Sequence, residues 1–145
     1  MAITKKAEYA IAALADLASR KPEGFESSRD IATRQGIPPK LIAQILALMS
    51  KGGILEGARG PLGGVRLIRD PSTISLREVI ELVEGPLGIT KCLVQRGECR
   101  KQGSCPLQGI WAEAQERMVE VLEGRTIQDL ADAQSSMASK SRPQR

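Results

Sequence analysis

Apolar residues along this chain recur every three or four positions, and glycine or proline interrupts the pattern at each change of element, which predicts a series of short amphipathic helices. Ile3, Ala7, Ala10, Ile11, Leu14, Leu17 and Ala18 mark one face of a first helix, and Lys21-Pro22 ends it. After a turn at Pro22-Glu-Gly24, Ser27 or Ser28 can cap a short second helix to about Gln35, with Gly36 as its left-handed C-cap. A third helix opens at Pro38-Pro39, since proline is tolerated in a first turn. It carries Leu41, Ile42, Ile45, Leu46 and Met49 along one side before Gly52-Gly53 breaks it. Two short β-compatible runs, Ile54 to Ala58 and Val65 to Ile68, flank Arg59-Gly-Pro-Leu-Gly-Gly64 and predict a hairpin. Ser75-Leu-Arg-Glu78 is a capping-box pattern that starts another helix, with Leu76, Val79, Ile80 and Val83 on its face and Gly85-Pro86 at its end. Pro106 opens a long helix to about Glu123 whose apolar positions are Leu107, Ile110, Trp111, Ala114, Met118, Val121 and Leu122. Gly124 stops it, Thr126-Ile-Gln-Asp129 can cap a last short helix, and the polar stretch from Ser135 to Arg145 is expected to be a disordered tail.

Helix, short helix, tight glycine turn, helix and glycine hairpin, in that order, describe a helix-turn-helix followed by a β-wing. The fold class is therefore mainly α with a small β-wing. In such a fold the helix after the turn enters the major groove of DNA with its N-terminal residues nearest the base edges. Because Leu41, Ile42, Ile45 and Leu46 face the core, Lys40, Ala43 and Gln44 face outward. Gln44 can pair bidentately with adenine, and Lys40 can serve a phosphate or a guanine. Arg59 and Arg66 at the edges of the hairpin can reach phosphates or a narrow minor groove. Ser28 and Pro39 at the two helix starts, with Gly60 and Gly63 in the wing, complete the candidate DNA-facing set. Taken singly, each element could be an ordinary solvated face or a plain hairpin loop; their ordered combination favours DNA.

Charge strengthens this picture through its distribution. From Arg29 to Asp70 there are seven bases (Arg29, Arg34, Lys40, Lys51, Arg59, Arg66, Arg69) against three acids (Asp30, Glu56, Asp70), a surplus equal to the whole net charge of +4. A basic balance suits a polyanionic partner. The chain has 145 residues, 41% of them hydrophobic, which fits one folded domain with an aliphatic core, since Tyr9, Phe25 and Trp111 are the only aromatics. No apolar run approaches the ~20 residues of a membrane span, and the N-terminus lacks a secretory apolar segment, so no membrane partner and a cytoplasmic address are expected.

Three cysteines, Cys92, Cys99 and Cys105, are the only ones in the chain, and there is no histidine. They follow a C-x6-C-x5-C pattern in a loop with Gly88, Gly97 and Gly103, surrounded by Lys91, Arg96, Arg100 and Lys101 against Glu98 alone. Glycines let the loop fold back so that sulfurs converge, and the positive charge favours thiolate over thiol. Iron–sulfur clusters are held by such thiolates. Zinc fits less well, because its closed four-ligand sites usually include a tight cysteine pair or a histidine. A metal-free thiol switch is a further option, whereas a charged glycine loop makes a poor site for inert core cysteines. Catalytic use of these cysteines is disfavoured by the lack of histidine and of any nucleotide-binding glycine motif, so the chain is not expected to be an enzyme. A scaffold or iron–sulfur carrier in which the winged helix binds protein is another rival.

Thr4-Lys-Lys-Ala-Glu-Tyr-Ala-Ile11, Ala58-Arg-Gly-Pro-Leu-Gly-Gly-Val-Arg-Leu67, Ile74-Ser-Leu-Arg-Glu-Val-Ile80 and the run into Cys105-Pro-Leu107 resemble the winged-helix repressors typified by IscR, NsrR and RirA. That resemblance covers residues 1 to 132 and implies a homodimer on a palindromic double-stranded DNA operator, with the helix from Pro106 to Glu123 pairing across the two-fold axis. It implies the division 1–86 winged helix-turn-helix, 87–105 cysteine loop, 106–134 dimerisation helix and short C-terminal helix, and 135–145 tail. It further implies an iron–sulfur cluster on Cys92, Cys99 and Cys105 that controls operator affinity, 4Fe–4S by preference with 2Fe–2S as the second option. IscR-like members place a histidine three residues after the third cysteine, where this chain has Gln108. NsrR-like members can instead use an acidic residue from the first helix of the other subunit, and Glu8 stands at the matching place; an open or exogenous fourth position is the alternative. The signal expected from this pattern is nitric oxide first, then iron status or oxygen.

Overall fold

The structure, a computed structural model, describes residues 3–61, 63–89 and 105–141, with side chains to 137. Helix α1 (Lys5–Arg20) begins where Thr4 accepts a hydrogen bond from the Ala7 backbone N–H and ends at Lys21, a left-handed cap with φ 46°. Ala7, Ala10 and Ala13 are fully buried, and side chains this small let neighbouring helices approach α1 closely. Helix α2 (Ser28–Gln35) is capped by Ser27, whose hydroxyl accepts from the Asp30 N–H, and closes at Gly36 with φ 65°. That left-handed turn costs a glycine little, and it leads through buried Ile37 into α3 (Pro39–Lys51).

The wing is one antiparallel pair, β1 (Leu55–Ala58) and β2 (Gly64–Leu67), in the register Leu55 with Leu67 and Ala58 with Gly64. Its tip is closed by a Gly63 N–H bond to the Gly60 carbonyl at 2.9 Å, with Pro61 in the position where its fixed φ helps a turn. The hairpin has a third partner: Glu26, ahead of α2, exchanges both backbone hydrogen bonds with Val65 at 2.8 Å. Gly64 is needed there, because a Cβ at that position would collide with the Glu26 backbone.

A 3-10 turn at Pro71–Thr73 leads into α4 (Leu76–Glu84), where Ser75 accepts from the Glu78 N–H as the capping pattern predicts. The reciprocal half of that box is absent, since the Glu78 carboxylate instead takes Arg69. Helix α5 (Pro106–Glu123) follows, then α6 (Ile127–Ser141), opened by a mutual box in which Thr126 N–H bonds Asp129 and Asp129 N–H bonds Thr126. The tail expected to be disordered from Ser135 is helical as far as Ser141, which corrects that expectation. Buried Ile127 and Ala131 anchor α6, and no glycine or proline interrupts it before Pro143, so each added residue extends the helix at small cost.

Helix α1 lies at the centre, packed against α2, α3, α4, α6 and β2. The main core joins Leu14, Leu17, Ile31, Ile45, Met49, Ile54, Ile74, Val79 and Ile127, each contributing roughly 1.5–3 kcal/mol by burial. A second small cluster, Ala7, Ile80 and Leu87, receives half-buried Met118, Val119 and Leu122 from α5. It lies where the chain leaves α4 for the cysteine segment. The result is mostly helical with one two-stranded wing, as the sequence predicts.

Candidate nucleic-acid interface and thiolate segment

The outward face of α3 follows from its inward one. Ile42, Ile45, Leu46 and Met49 are buried, and the same helical spacing leaves Pro39, Lys40, Ala43 and Gln44 exposed. Pro38 and Pro39 carry no N–H and give this N-terminus no side-chain cap, and the Leu41 and Ile42 N–H groups bond the Pro38 carbonyl, which leaves the Lys40 N–H at the positive end of the helix dipole. Ser28 is exposed on the first turn of α2, and a groove of about 680 Å³ between α2 and α3 is lined by Ser28, Arg29, Thr33, Gly36, Pro38 and Pro39. Arg59 and Gly60 are exposed at the wing tip and Gly63 is half-buried behind them.

The bases of this region divide into two groups. Arg34 forks onto Asp16, with nitrogen–oxygen distances from 2.7 to 3.2 Å, and lies 3.6 Å from Glu26. The hydrogen bond to Asp16 raises the Arg34 pKa above its ordinary value despite partial burial, so Arg34 is a fixed charge. Arg66 pairs with Glu56 and lies 4.7 Å over the Phe25 ring, and Arg69 pairs with Glu78. Among the described residues, Arg29, Lys40, Lys51 and Arg59 form no ion pair, and all four are exposed. Arg29 is an exposed base of this face that the sequence reading did not include in its candidate set. Its position beside Ser28 on the first turn of α2 was the available signal.

Of the three cysteines, Cys92 and Cys99 lie outside the described residues. Cys105 is a free, half-buried thiol at the N-cap of α5, just ahead of Pro106. Sulfur is a soft donor, so Cys105 has the chemistry of a soft-metal ligand. Among the described residues no three Cys, Asp or Glu converge on one point. Entry to the cysteine segment is pinned twice: Leu87 N–H bonds the Glu81 carboxylate at 3.4 Å, and Ile89 N–H bonds the Gln115 amide oxygen at 3.2 Å. Glu8 is exposed on the first turn of α1, 3.5 Å from Lys5 and next to Ala7 of the small cluster. Thr4, one turn earlier, donates to Glu84 at the end of α4. Gln108 is on the first turn of α5, with its N–H bonded to the Cys105 carbonyl.

Helix α5 spans 18 residues and buries none of them. Leu107, Ile110 and Val121 are 48%, 58% and 62% exposed and lie with exposed Ala114 on one stripe. The side adjoining it, with Met118, Val119 and Leu122, is the one that rests on the rest of the chain. Among the described residues no helix is long and apolar enough to cross a membrane.

Residues 3–133 match the family model described as Rrf2, iron-dependent transcriptional regulator. The transcriptional regulator IscR of Klebsiella pneumoniae (strain 342) is 32% identical over 134 residues, covering 92% of this chain and 82% of that protein. The solved structure of T. potens IscR superimposes with a TM-score of 0.72 at 26% identity, covering 100% of this chain and 94% of that one. CymR, the global cysteine regulator of B. subtilis, shares the fold with a TM-score of 0.73 at 24% identity, over 92% of this chain and 98% of that one.

Proposed function

The chain belongs to the Rrf2 family of iron-dependent transcriptional regulators, and from that premise we propose that it is a homodimeric repressor whose operator affinity is set by an iron–sulfur cluster on Cys92, Cys99 and Cys105. It is a DNA-binding regulator and not an enzyme. In the proposed complex Lys40, Ala43 and Gln44 read the major groove from the start of α3, with Pro39 and Ser28 beside them. Arg59, Gly60 and Gly63 bring the wing to the backbone or minor groove. Arg66 joins them only by giving up Glu56 and Phe25.

The apolar stripe of α5 calls for a second copy of this chain, because a monomer would leave Leu107, Ile110 and Val121 in water. Two copies paired there carry two α3 helices, which fits a palindromic operator with half-sites about one DNA turn, ~34 Å, apart.

One observation carries the regulatory part: Cys105 is the N-cap of the same helix that bears the exposed stripe. A ligand held by that thiolate is thereby coupled to the dimer helix. Three thiolates without imidazole suit iron–sulfur ligation, with Glu8 of the second copy as the proposed fourth ligand. Among the described residues, Lys5 at 3.5 Å is the one ion-pair partner of Glu8, which is exposed. Bound there, a cluster supplies an iron site reactive towards nitric oxide, oxygen or iron loss, 4Fe–4S by preference over 2Fe–2S. The chain's own part is mechanical. Glu81 and Gln115 hold the start of the cysteine segment and Cys105 holds its end, so any change between them bears on α4 and α5.

Anaerobic purification with iron, sulfide and zinc analysis tests this reading. The wild type should carry iron and sulfide, and Cys105→Ala should lose both while keeping its helical circular dichroism. A colourless protein that refuses reconstitution would overturn the cluster. Stoichiometric zinc in its place would make the site a structural one, and a metal-free, reversibly oxidised trio would make it a thiol switch.

A further inference from the structure

Asp16 is the one buried charged residue among those described, only 5% exposed inside an otherwise apolar α1 face. Its two oxygens accept three bonds from Arg34 and one from Gln35 at 3.1 Å. Arg34 and Gln35 form the last turn of α2, just before the Gly36 turn into α3. The Arg34 guanidinium also faces Glu26 at 3.6 Å, and Arg20 holds the same carboxylate at 3.2 Å. Glu26 is the residue whose backbone is bridged to Val65 of the wing. A single guanidinium, carried on the last turn of α2 just ahead of the turn that aims α3, therefore touches both the central helix and the segment on which the wing is hung.

Such a pair is a poor device for stability, because taking both charges out of water offsets most of their attraction. A fork onto a carboxylate is, however, directional, and it fixes angle as well as distance. We propose that Arg34, seated on Asp16, is a positioning residue that sets the wing relative to the recognition helix, so that Lys40 and Gln44 on α3 and Arg59 on the wing reach one duplex together. Glu26 is the arm through which Arg34 acts on the wing. The proposal rests on the DNA-facing assignment of α3 and the wing given above. It concerns side chains already engaged with one another: Asp16 is buried, and the Arg34 and Glu26 side chains are 26% and 14% exposed.

The test uses the full-length protein and a duplex that the wild type selects from a randomised pool. Arg34→Lys keeps a charge for Asp16 but loses the fork, and Glu26→Gln cuts the arm while leaving Asp16 paired. For both, the folded fraction should bind about tenfold more weakly. The slope of log affinity against log salt should fall by about 0.9 for the wing phosphate contact no longer made. Adding Arg59→Ala to Glu26→Gln should then cost little more, because the two changes remove the same contact. Unchanged affinity and slope in the folded fraction of Glu26→Gln, or full additivity with Arg59→Ala, would overturn the positioning role and leave a structural ion pair. Failure of the wild type to select any duplex would instead defeat the DNA-facing reading itself.

Discussion

Single side chains in the interface differ less in charge than in what already holds that charge. Arg59 has no ion-pair partner among the described residues, whereas Arg66, seven residues later on the same hairpin, is engaged by Glu56 and the face of Phe25. A phosphate must compete with those contacts for Arg66 but not for Arg59. Arg59→Ala should therefore lower the salt dependence of DNA binding by about 0.9 in log–log slope, and Arg66→Ala by clearly less. Anisotropy titrations across a series of salt concentrations measure both, and the reverse order would show that Arg66 is the wing's phosphate contact. Sequence alone could not make this distinction. Both arginines lie in one basic hairpin, and what separates them is Phe25, some forty residues upstream of Arg66 in the chain and brought there by the bridge between Glu26 and Val65.

Elements were more legible than the contacts between them. Ser27, Ser75 and Thr126 cap the helices that they were expected to cap, because a cap needs only residues two or three positions away. The recognition helix and the wing strands follow from periodicity and glycine for the same local reason. Asp16 gave no such signal, since its partner Arg34 lies 18 positions away and an aspartate in an apolar run gives no hint of a fork waiting for it. The end of α6 was misjudged because polar composition weakens a helix without stopping it. Helix α5 was legible in extent, but its stripe acquires meaning only from burial: Leu107, Ile110 and Val121 remain in water while Met118 and Leu122 are half-covered. Ile110→Glu should leave the helical content intact and weaken self-association by at least about tenfold, or ~1.4 kcal/mol. Sedimentation equilibrium reads this directly, and an unaltered dimer would place the interface elsewhere.

At the scale of the whole molecule, α4 is a junction at which several parts meet. Its Glu78 holds Arg69 at the exit of the wing, and its Arg77 holds Glu123 at the end of α5 at 3.2 Å. Its Glu81 holds the entry to the cysteine segment and its Glu84 holds the start of α1. On the proposed reading, a rearrangement between Leu87 and Cys105 would bear on contacts shared with the wing and with α5. Half-site spacing is strict, so a small change in the separation of two α3 helices is enough to alter affinity. The most direct measurement is operator affinity of one preparation before and after its iron is removed anaerobically, at fixed salt. If the cysteine segment gates DNA binding, the two dissociation constants differ by about fivefold or more, and Cys105→Ala binds like the iron-free form. Coincident binding curves for the iron-loaded and iron-free protein would contradict it.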